Sequence, residues 1–525
     1  MLIAVEGCCH GELDKIYETL AFIEKEHGKK VDLLICCGDF QSTRNVYDLS
    51  CMAVPPKYLA MMTFYKYYSG EKTAPVPTLF IGGNHEASNY LQELTYGGWV
   101  APNIYYLGLA GVVNFGGLRI GGMSGIFKGH DYMKGHFELP PYSENTKRSI
   151  YHVRQLEVFR LKQISRPVDI FVSHDWPVGV TDHGNVQQLL RFKPYFREDI
   201  ETRNLGNPNA MDVMKKLKPN YWFSGHMHAK WAANVPHEDG SHTKFLALDK
   251  CMPGKRFLQI IDIPQPATDL HTEPKLSFDP EWLGILRDTN HLWHFENSNH
   301  YMPGAVAGSE EKYDFAQTDE QIEEVRRLLG GNLDIDPSSF QRTGPVHETA
   351  FGDGFFSVII ADMKAKNYPL PPVTAYVNPQ TTELCQKMGL TDPLRELMSK
   401  APTHDPKDFT SDFMSNQVNQ QNEQEEEREA VDTEAVTVYF EEGMGGVEGS
   451  TEEPASKKLK TEGEGTVEDI LQVKNGHENG DSELTEVDQI MKDTEMPLAV
   501  AAEVAMDKEQ YGPEAITALA EETTS

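Results

Sequence analysis

Cysteine is scarce in this chain and badly placed for cross-linking. The 525 residues hold seven, at Cys8, Cys9, Cys36, Cys37, Cys51, Cys251 and Cys385. Two adjacent pairs and irregular spacing exclude a disulfide-stapled secreted scaffold and favour a reducing compartment. No run of about 18 apolar residues occurs, so an ordinary membrane-spanning helix is excluded and no membrane partner is expected. No basic leader with a cleavage site precedes the apolar run at 2–5, and a cytosolic or nuclear protein is expected. Internal repeats are also absent.

Positive charge is the next shortage. Lys and Arg number 48 against 80 Asp and Glu, a formal net charge of −32. The deficit is concentrated in one place: residues 401–525 carry 32 acids and 8 bases, a net of −24, which leaves only −8 for the first 400 residues. The folded part is therefore not barred from a nucleic-acid substrate. Stretches such as NQVNQQNEQEEEREA and EEGMGGVEGSTEE have too little apolar surface to offset the entropy of ordering, and 400–525 is expected to be a disordered acidic tail. SKKLK at 456–460 reads either as a nuclear import signal or as the few lysines of that tail.

What is present is a succession of short apolar runs, each ending in polar or glycine-rich residues: MLIAVEG, VDLLICCGD, PTLFIGGNHE, VVNFGGLRIGGMSG, VDIFVSHDWP, NYWFSGHMH and TKFLALDK. Runs of this length bounded by turn signals predict buried strands. LDKIYETLAFIEKEHG has the 3.6-residue period of a helix that stops at Gly28. The alternation predicts an α/β fold with helices outside a central sheet or sheet pair. From about Ser277, SFDPEWLGILRDTNHLWHF and TDEQIEEVRRLLG read as helices. The expected division is a catalytic domain over 1–265, a smaller helical C-terminal domain over 266–399, and the tail.

The strand ends repeat one theme. They carry Cys8-Cys9-His10, Gly38-Asp39, Gly83-Asn84-His85-Glu86, Ser173-His174-Asp175 and Gly225-His226-Met227-His228. Sites in α/β sheets assemble at the carboxyl ends of strands. In extended backbone, residues two apart face the same side, so Cys8 with His10, and His226 with His228, are expected to face one pocket, with Cys9 turned into the core. Asp39 has two oxygens and is able to bridge two ions.

GD…GNHE…H…GHxH is similar to the signature of the calcineurin-like metallophosphoesterases over roughly residues 1–265. That superfamily usually opens with Asp-x-His, where this chain has Cys8-Cys9-His10. The cysteine, with GDFQ at 38–41, SHDWP at 173–177 and GHMH at 225–228, resembles the family of RNA lariat debranching enzymes. The resemblance implies a metallophosphoesterase β-sandwich flanked by helices, with two adjacent metal sites. Cys8, His10, Asp39 and His228 would hold one, and Asp39, Asn84, His174 and His226 the other. The catalytic histidine falls on His85, beside the scissile phosphate. Two cations so held clamp a phosphodiester and acidify water, and His85 as imidazolium is suited to protonate a leaving 2′-oxygen. The thiolate of Cys8 favours Zn(II) or Fe(II) at the first site, with Mn(II) an option at the second, and makes activity sensitive to peroxide.

The implied substrate is branched lariat intron RNA, cleaved at its 2′–5′ bond, and the implied residence is the nucleus with shuttling to the cytoplasm. Residues 124–154 match the lariat-recognition insertion of that family. Ser124, Lys128, Tyr132, Lys134, Phe137, Tyr142, Lys147, Arg148, Tyr151 and Arg154 are its candidate RNA contacts, cations for phosphates and aromatic faces for unpaired bases. RFKPYFR at 191–197 is a second candidate, and RNA-processing proteins are expected partners of the tail. Two alternatives stay open: another phosphoester, phosphoprotein or nucleotide, and an inactive scaffold of the same fold. FQSTRN after Gly38-Asp39 departs from the Asp-Arg-Gly of protein phosphatases, although Arg44 remains a candidate phosphate contact.

Overall fold

Leu13, Ile16, Tyr17, Leu20 and Ile23 recur at helical spacing, and in the computed structural model all five are buried on one face of the helix Leu13–His27. Gly28 ends that helix at φ 63°, a left-handed conformation that costs a residue without a Cβ little. The structure describes residues 1–265, 274–304, 313–347 and 373–400. The tail expected over 400–525 otherwise lies outside these residues.

Thirteen strands are present among the described residues: β1 (Leu2–Glu6), β2 (Leu33–Cys36), β3 (Thr78–Phe80), β4 (Gly98–Ala101), β5 (Ile104–Tyr106), β6 (Ala110–Phe115), β7 (Leu118–Met123), β8 (Ile170–Ser173), β9 (Tyr221–Ser224), β10 (Trp231–Pro236), β11 (His242–Ala247), β12 (Leu258–Asp262) and β13 (Leu276–Phe278). They form two sheets, ordered β12-β1-β2-β3-β5-β4 and β10-β11-β9-β8-β7-β6-β13. The middle of each sheet is parallel, β1-β2-β3-β5 in one and β11-β9-β8-β7 in the other, with antiparallel strands at the edges. Ile3, Val5, Leu33, Ile35 and Leu79 of the first sheet meet Ile120, Ile170, Val172 and Phe223 of the second in a continuous apolar layer. The outer faces are covered by helices. Ala4, Leu34 and Phe80 pack with the helix Leu13–His27, and Phe171 and Trp222 pack with residues of the helices Gln155–Leu161 and Pro208–Leu217. This is the expected sandwich flanked by helices. Because the parallel strands of each sheet run the same way, their carboxyl ends collect at common rims.

Contacts cross the boundary expected at 265–266. Met1–Lys400 falls within one compact unit. β13 extends the second sheet by pairing with β6, Asp279 binds Arg119 through Nε at 2.8 Å and Nη2 at 2.9 Å, and the Gln380 amide bonds both ways to the Trp99 backbone at 2.8 and 2.9 Å. The region is still mainly helical, with helices at Pro280–Asp288, Asp319–Leu328, Pro379–Met388 and Pro393–Lys400. Asp279 and Thr318 cap the first two of these, and Thr318 completes a capping box with Gln321. No helix among the described residues is long and apolar enough to cross a membrane.

Arg44 is corrected as a candidate phosphate contact. It is fully buried, so it meets no phosphate. Its guanidinium grips Asp48 through Nε at 2.9 Å and Nη2 at 3.0 Å, reaches Glu93 at 2.7 Å, and lies 4.1 Å from the centre of the Tyr90 ring. Thr343 completes the group, bonding both Arg44 at 3.1 Å and Glu93. The loop after Asp39 is thereby tied to a segment 299 residues later. Arg44→Met leaves two buried carboxylates without their cation, and chemical denaturation should report a stability loss of about 3–5 kcal/mol.

Candidate metal centre

The loops that leave β1, β2 and β9 do not stay extended. His10 has φ 46°, Asp39 46°, His226 62° and His228 46°. Such left-handed backbone costs a side-chain-bearing residue on the order of 1 kcal/mol or more and concentrates where function holds it in place. The extended alternation expected for Cys8-Cys9-His10 and His226-Met227-His228 is therefore corrected: sharp turns, rather than pleating, aim these side chains. Cys9 is buried among the helix-side core residues, while Sγ of Cys8 and the ligand atoms of His10, Asp39 and His228 all lie within 4.8 Å of one another.

Asp39 is the hub. Oδ2 lies 3.7 Å from His10 Nε2 and 3.6 Å from His85 Nδ1, and Oδ1 lies 3.2 Å from His174 Nε2. Oδ1 also accepts the backbone N–H groups of Asn84 and His85, both at 2.8 Å. The other members close around these contacts. His10 Nε2 is 3.4 Å from His228 Nε2, Asn84 Oδ1 is 3.2 Å from His174 Nε2, and the rings of His174 and His226 are 4.9 Å apart. The His226 N–H donates to Cys8 Sγ at 3.0 Å. The seven candidate ligands thus converge from both sheets. His85 stands at the rim, its side chain 30% exposed and its Nδ1 3.4 Å from His10 Nδ1.

Close backbone approach makes this possible. A Cβ on Gly83 would sit 2.2 Å from Asp39 Oδ1, and one on Gly38, at φ 109°, would sit 2.3 Å from His174 Nδ1. Glu86 was not singled out from the sequence for a role of its own, yet it stitches two loops together. Its carboxylate accepts the N–H groups of Phe40 and Gly83 at 2.8 Å and of Gln41 at 2.9 Å. Burial, and then the charge of Asp39, push it up to about 8. Membership in GNHE was the available signal. The Cys37 carbonyl, 2.7 Å from His174 Nδ1, leaves Nε2 as the inward-facing atom.

The electrostatics suit a cation. Burial pushes His10 and His226 down to about 3 and holds His228 well below the ordinary range, so these imidazoles are neutral with lone pairs to offer. Burial opposes ionisation of Asp39, but His174 and then His85 outweigh it and hold the carboxylate well below its usual range. The same Asp39 charge raises His174 against burial. Burial, reinforced by Asp39, raises the Cys8 thiol, so a metal ligated there displaces its proton. Sulfur, imidazole nitrogen and carboxylate oxygen within one small pocket form a donor set that fits a divalent transition metal.

The candidate RNA contacts divide. Residues 124–154 fold into short helices, Gly129–Tyr132 and Glu144–Ser149, the latter capped by Ser143. Arg154 is buried on Glu138, at 2.6 Å, and on the Ser149 carbonyl at 2.9 Å, and it is corrected from RNA contact to internal brace. Ser124 is likewise committed, its Oγ donating to the Gly108 carbonyl at 2.6 Å and accepting Gly82 N–H at 2.9 Å. Tyr142 donates to Gln92 at 2.6 Å, Lys134 pairs with Asp131 at 2.9 Å and Lys147 with Glu144 at 2.6 Å. Lys128, Tyr132, Phe137, Arg148 and Tyr151 are half-buried. Phe127 N–H bonds Asp175 at 3.1 Å, which pins the segment beside His174, and the charge of Lys128 reaches His226. His130, Asp131 and His152 also gather potential ligand atoms, with His130 Nε2 and His152 Nδ1 at 3.2 and 2.7 Å from Asp131 Oδ2, while Lys134 pairs with Oδ1. In RFKPYFR, Phe192 and Tyr195 are exposed.

Comparison with known proteins agrees with this geometry. Residues 1–230 match the family model described as calcineurin-like phosphoesterase, and residues 240–393 match that described as lariat debranching enzyme, C-terminal domain. The chain is 50% identical over 431 residues to a lariat debranching enzyme of Drosophila pseudoobscura pseudoobscura, covering 75% of this chain and 78% of that one. It is 53% identical over 398 residues to that of Gallus gallus, covering 75% and 70%, and 51% identical over 405 residues to that of Homo sapiens, again covering 75% and 70%. A sandwich rim that gathers sulfur, nitrogen and oxygen donors for divalent metal around one carboxylate, and sequence identity of this extent along both matched regions, place the chain in the lariat debranching enzyme family of calcineurin-like phosphoesterases.

Proposed function

We propose that this chain is a metal-dependent phosphodiesterase that hydrolyses the 2′–5′ phosphodiester bond at the branch point of excised intron lariat RNA, giving linear intron RNA for turnover. The observation that carries the reading is the division of Asp39, with Oδ1 turned to His174 and Oδ2 to His10 and His85. A carboxylate split in this way is suited to serve two adjacent cations. Cys8, His10, Asp39 and His228 would hold one, and Asp39, Asn84, His174 and His226 the other. Bound there, divalent ions supply electrophilic stabilisation of a phosphodiester and lower the pKa of water.

The remaining chemistry belongs to the chain. The rim position of His85 lets its imidazole reach the phosphate and give a proton to the departing 2′-oxygen as the P–O2′ bond breaks. The 5′-phosphate stays on one product and the 2′-hydroxyl on the other. Rejection of ordinary 3′–5′ bonds falls to residues 124–154, where Lys128, Tyr132, Phe137, Arg148 and Tyr151 keep some exposure and Phe127 N–H is tied to Asp175, the neighbour of His174. The nucleus is the compartment that supplies such a substrate.

The test strips purified protein with chelator, reloads it with Zn(II), Fe(II) or Mn(II) in turn, and offers a synthetic 2′–5′ branched RNA beside a linear 3′–5′ control. Cleavage of the branched RNA alone is expected, with His85→Ala lowering kcat at least 100-fold. Equal rates on both RNAs would remove the lariat assignment. Soft thiolate favours Zn(II) or Fe(II) over Mn(II) in the first site. Cys8→Asp should therefore move the preferred metal toward Mn(II), measured as metal content after equilibration with an equimolar mixture and as activity on the branched RNA.

A further inference from the structure

A basic loop borders the Cys8 half of the centre and has no part in the reading so far. β11 is parallel to β9, so its carboxyl end arrives at the same rim as His226 and His228 and delivers Asp249, Lys250 and Cys251. The loop is fastened to the first strand's exit. Cys8 N–H bonds the Asp249 carbonyl at 3.4 Å, Cys251 N–H bonds the Cys8 carbonyl at 3.0 Å, and Gly7 N–H bonds the Phe257 carbonyl at 3.0 Å. Cys251 and Phe257 are both buried in the core beneath the first sheet. Between these two anchors Met252, Pro253, Gly254, Lys255 and Arg256 are exposed, and no atom lies within 4 Å of the place a Gly254 Cβ would take.

The charge of this tip stands out from the rest of the chain. Within residues 249–256, Lys250, Lys255 and Arg256 outnumber the one acid, Asp249, which accepts the Lys250 N–H at 2.8 Å and lies 3.6 Å from the Lys255 ammonium. The first 400 residues are otherwise net acidic. Lys250 is half-buried, and its charge reaches His10 and His228. Lys128 stands correspondingly toward His226. Cations therefore flank the centre on both sides, one set in residues 124–154 and the other in this loop. A linear RNA has two strands leaving any nucleotide and a branch has three, so an enzyme acting at a branch has more backbone to hold than one acting on a simple strand.

Resting on the lariat reading, we propose that residues 249–256 form a backbone-binding loop for one single-stranded RNA arm of the branch, the arm that leaves the scissile phosphate on the Cys8, His10 and His228 side. Lys250 meets the phosphate nearest the centre, Lys255 and Arg256 meet those further along, and the exposed Met252 offers a polarisable apolar face to a base. The contacts are to phosphate and are blind to sequence.

The test compares the metal-loaded wild type with Lys255→Ala/Arg256→Ala and with Lys250→Ala, using a branched RNA with all arms several nucleotides long, the same branch with each arm cut back in turn, and bis(p-nitrophenyl) phosphate. On the long branched RNA the double variant is expected to raise KM about tenfold with kcat within twofold, and to flatten the slope of log(kcat/KM) against log salt by about 1.4, two single-strand phosphate contacts at about 0.7 each. Cutting back one particular arm should erase the difference between variant and wild type, and cutting back the others should not. An unchanged KM and salt slope would overturn the proposal. So would an equal loss on bis(p-nitrophenyl) phosphate, which would make the loop a mere buttress of Cys8, or a deficit spread evenly over the truncated substrates. If the wild type cleaves branched and linear RNA alike, the lariat reading falls, while the same KM and salt-slope comparison on the linear strand still judges the loop.

Discussion

One buried carboxylate organises the rim of this molecule. Asp39 is 1% exposed yet stays ionised because imidazoles and backbone amides surround it. An isolated carboxylate at such depth would cost several kcal/mol and would take up a proton instead. The contacts that prevent this come from three loops: His10 after β1, Asn84 and His85 after β3, and His174 after β8. The loops converge as they do because a charge has to be satisfied there, and the same convergence creates a cluster of neutral imidazoles and a thiol with donor atoms turned to one another.

The surroundings are built to hold that convergence still. Glu86 ties the GNHE turn to the GDFQ turn through three backbone amides, and Asp175 ties the residue after His174 to the start of the segment that carries Lys128. Further out, Arg44 and Glu93 bind the second loop to Thr343. The left-handed residues at 10, 39, 226 and 228 are strained positions, and the dense hydrogen bonding around them is what keeps them populated.

Much of this was legible in the sequence, for physical reasons. Parallel strands buried on both faces give uninterrupted apolar runs, and so MLIAVEG, VDLLICCGD, VDIFVSHDWP and NYWFSGHMH announce β1, β2, β8 and β9 together with the candidate ligands that follow them. The edge strands give less signal: β13 has three residues, and β10 and β12 lack the flanking motifs found at the other strand ends. The candidate ligands are readable from residue type and position at strand ends, but the backbone conformation that aims them is not, since nothing in Cys8-Cys9-His10 marks a left-handed turn at a histidine. The weakest reading concerned residues 124–154. Composition does not reveal whether a cation faces water or an internal partner, and Glu138, which claims Arg154, was one acid among many. Lys250 escaped notice for a related reason, because a lone lysine after a strand is commonplace until topology brings that strand to the rim.

The centre straddles the seam of the sandwich. Cys8, His10, Asp39, Asn84 and His85 ride on one sheet, while His174, His226 and His228 ride on the other, and apart from a few hydrogen bonds between loops at the rim, interdigitated apolar side chains fix how the two sheets register. A slip of one layer over the other by a fraction of an ångström would change every distance around Asp39 while leaving each sheet's own ladder intact. Catalytic competence therefore gauges interlayer alignment, and substitutions at Val5, Ile35, Val172 or Phe223, remote from any phosphate, act on the chemistry through the fit of a hydrocarbon joint.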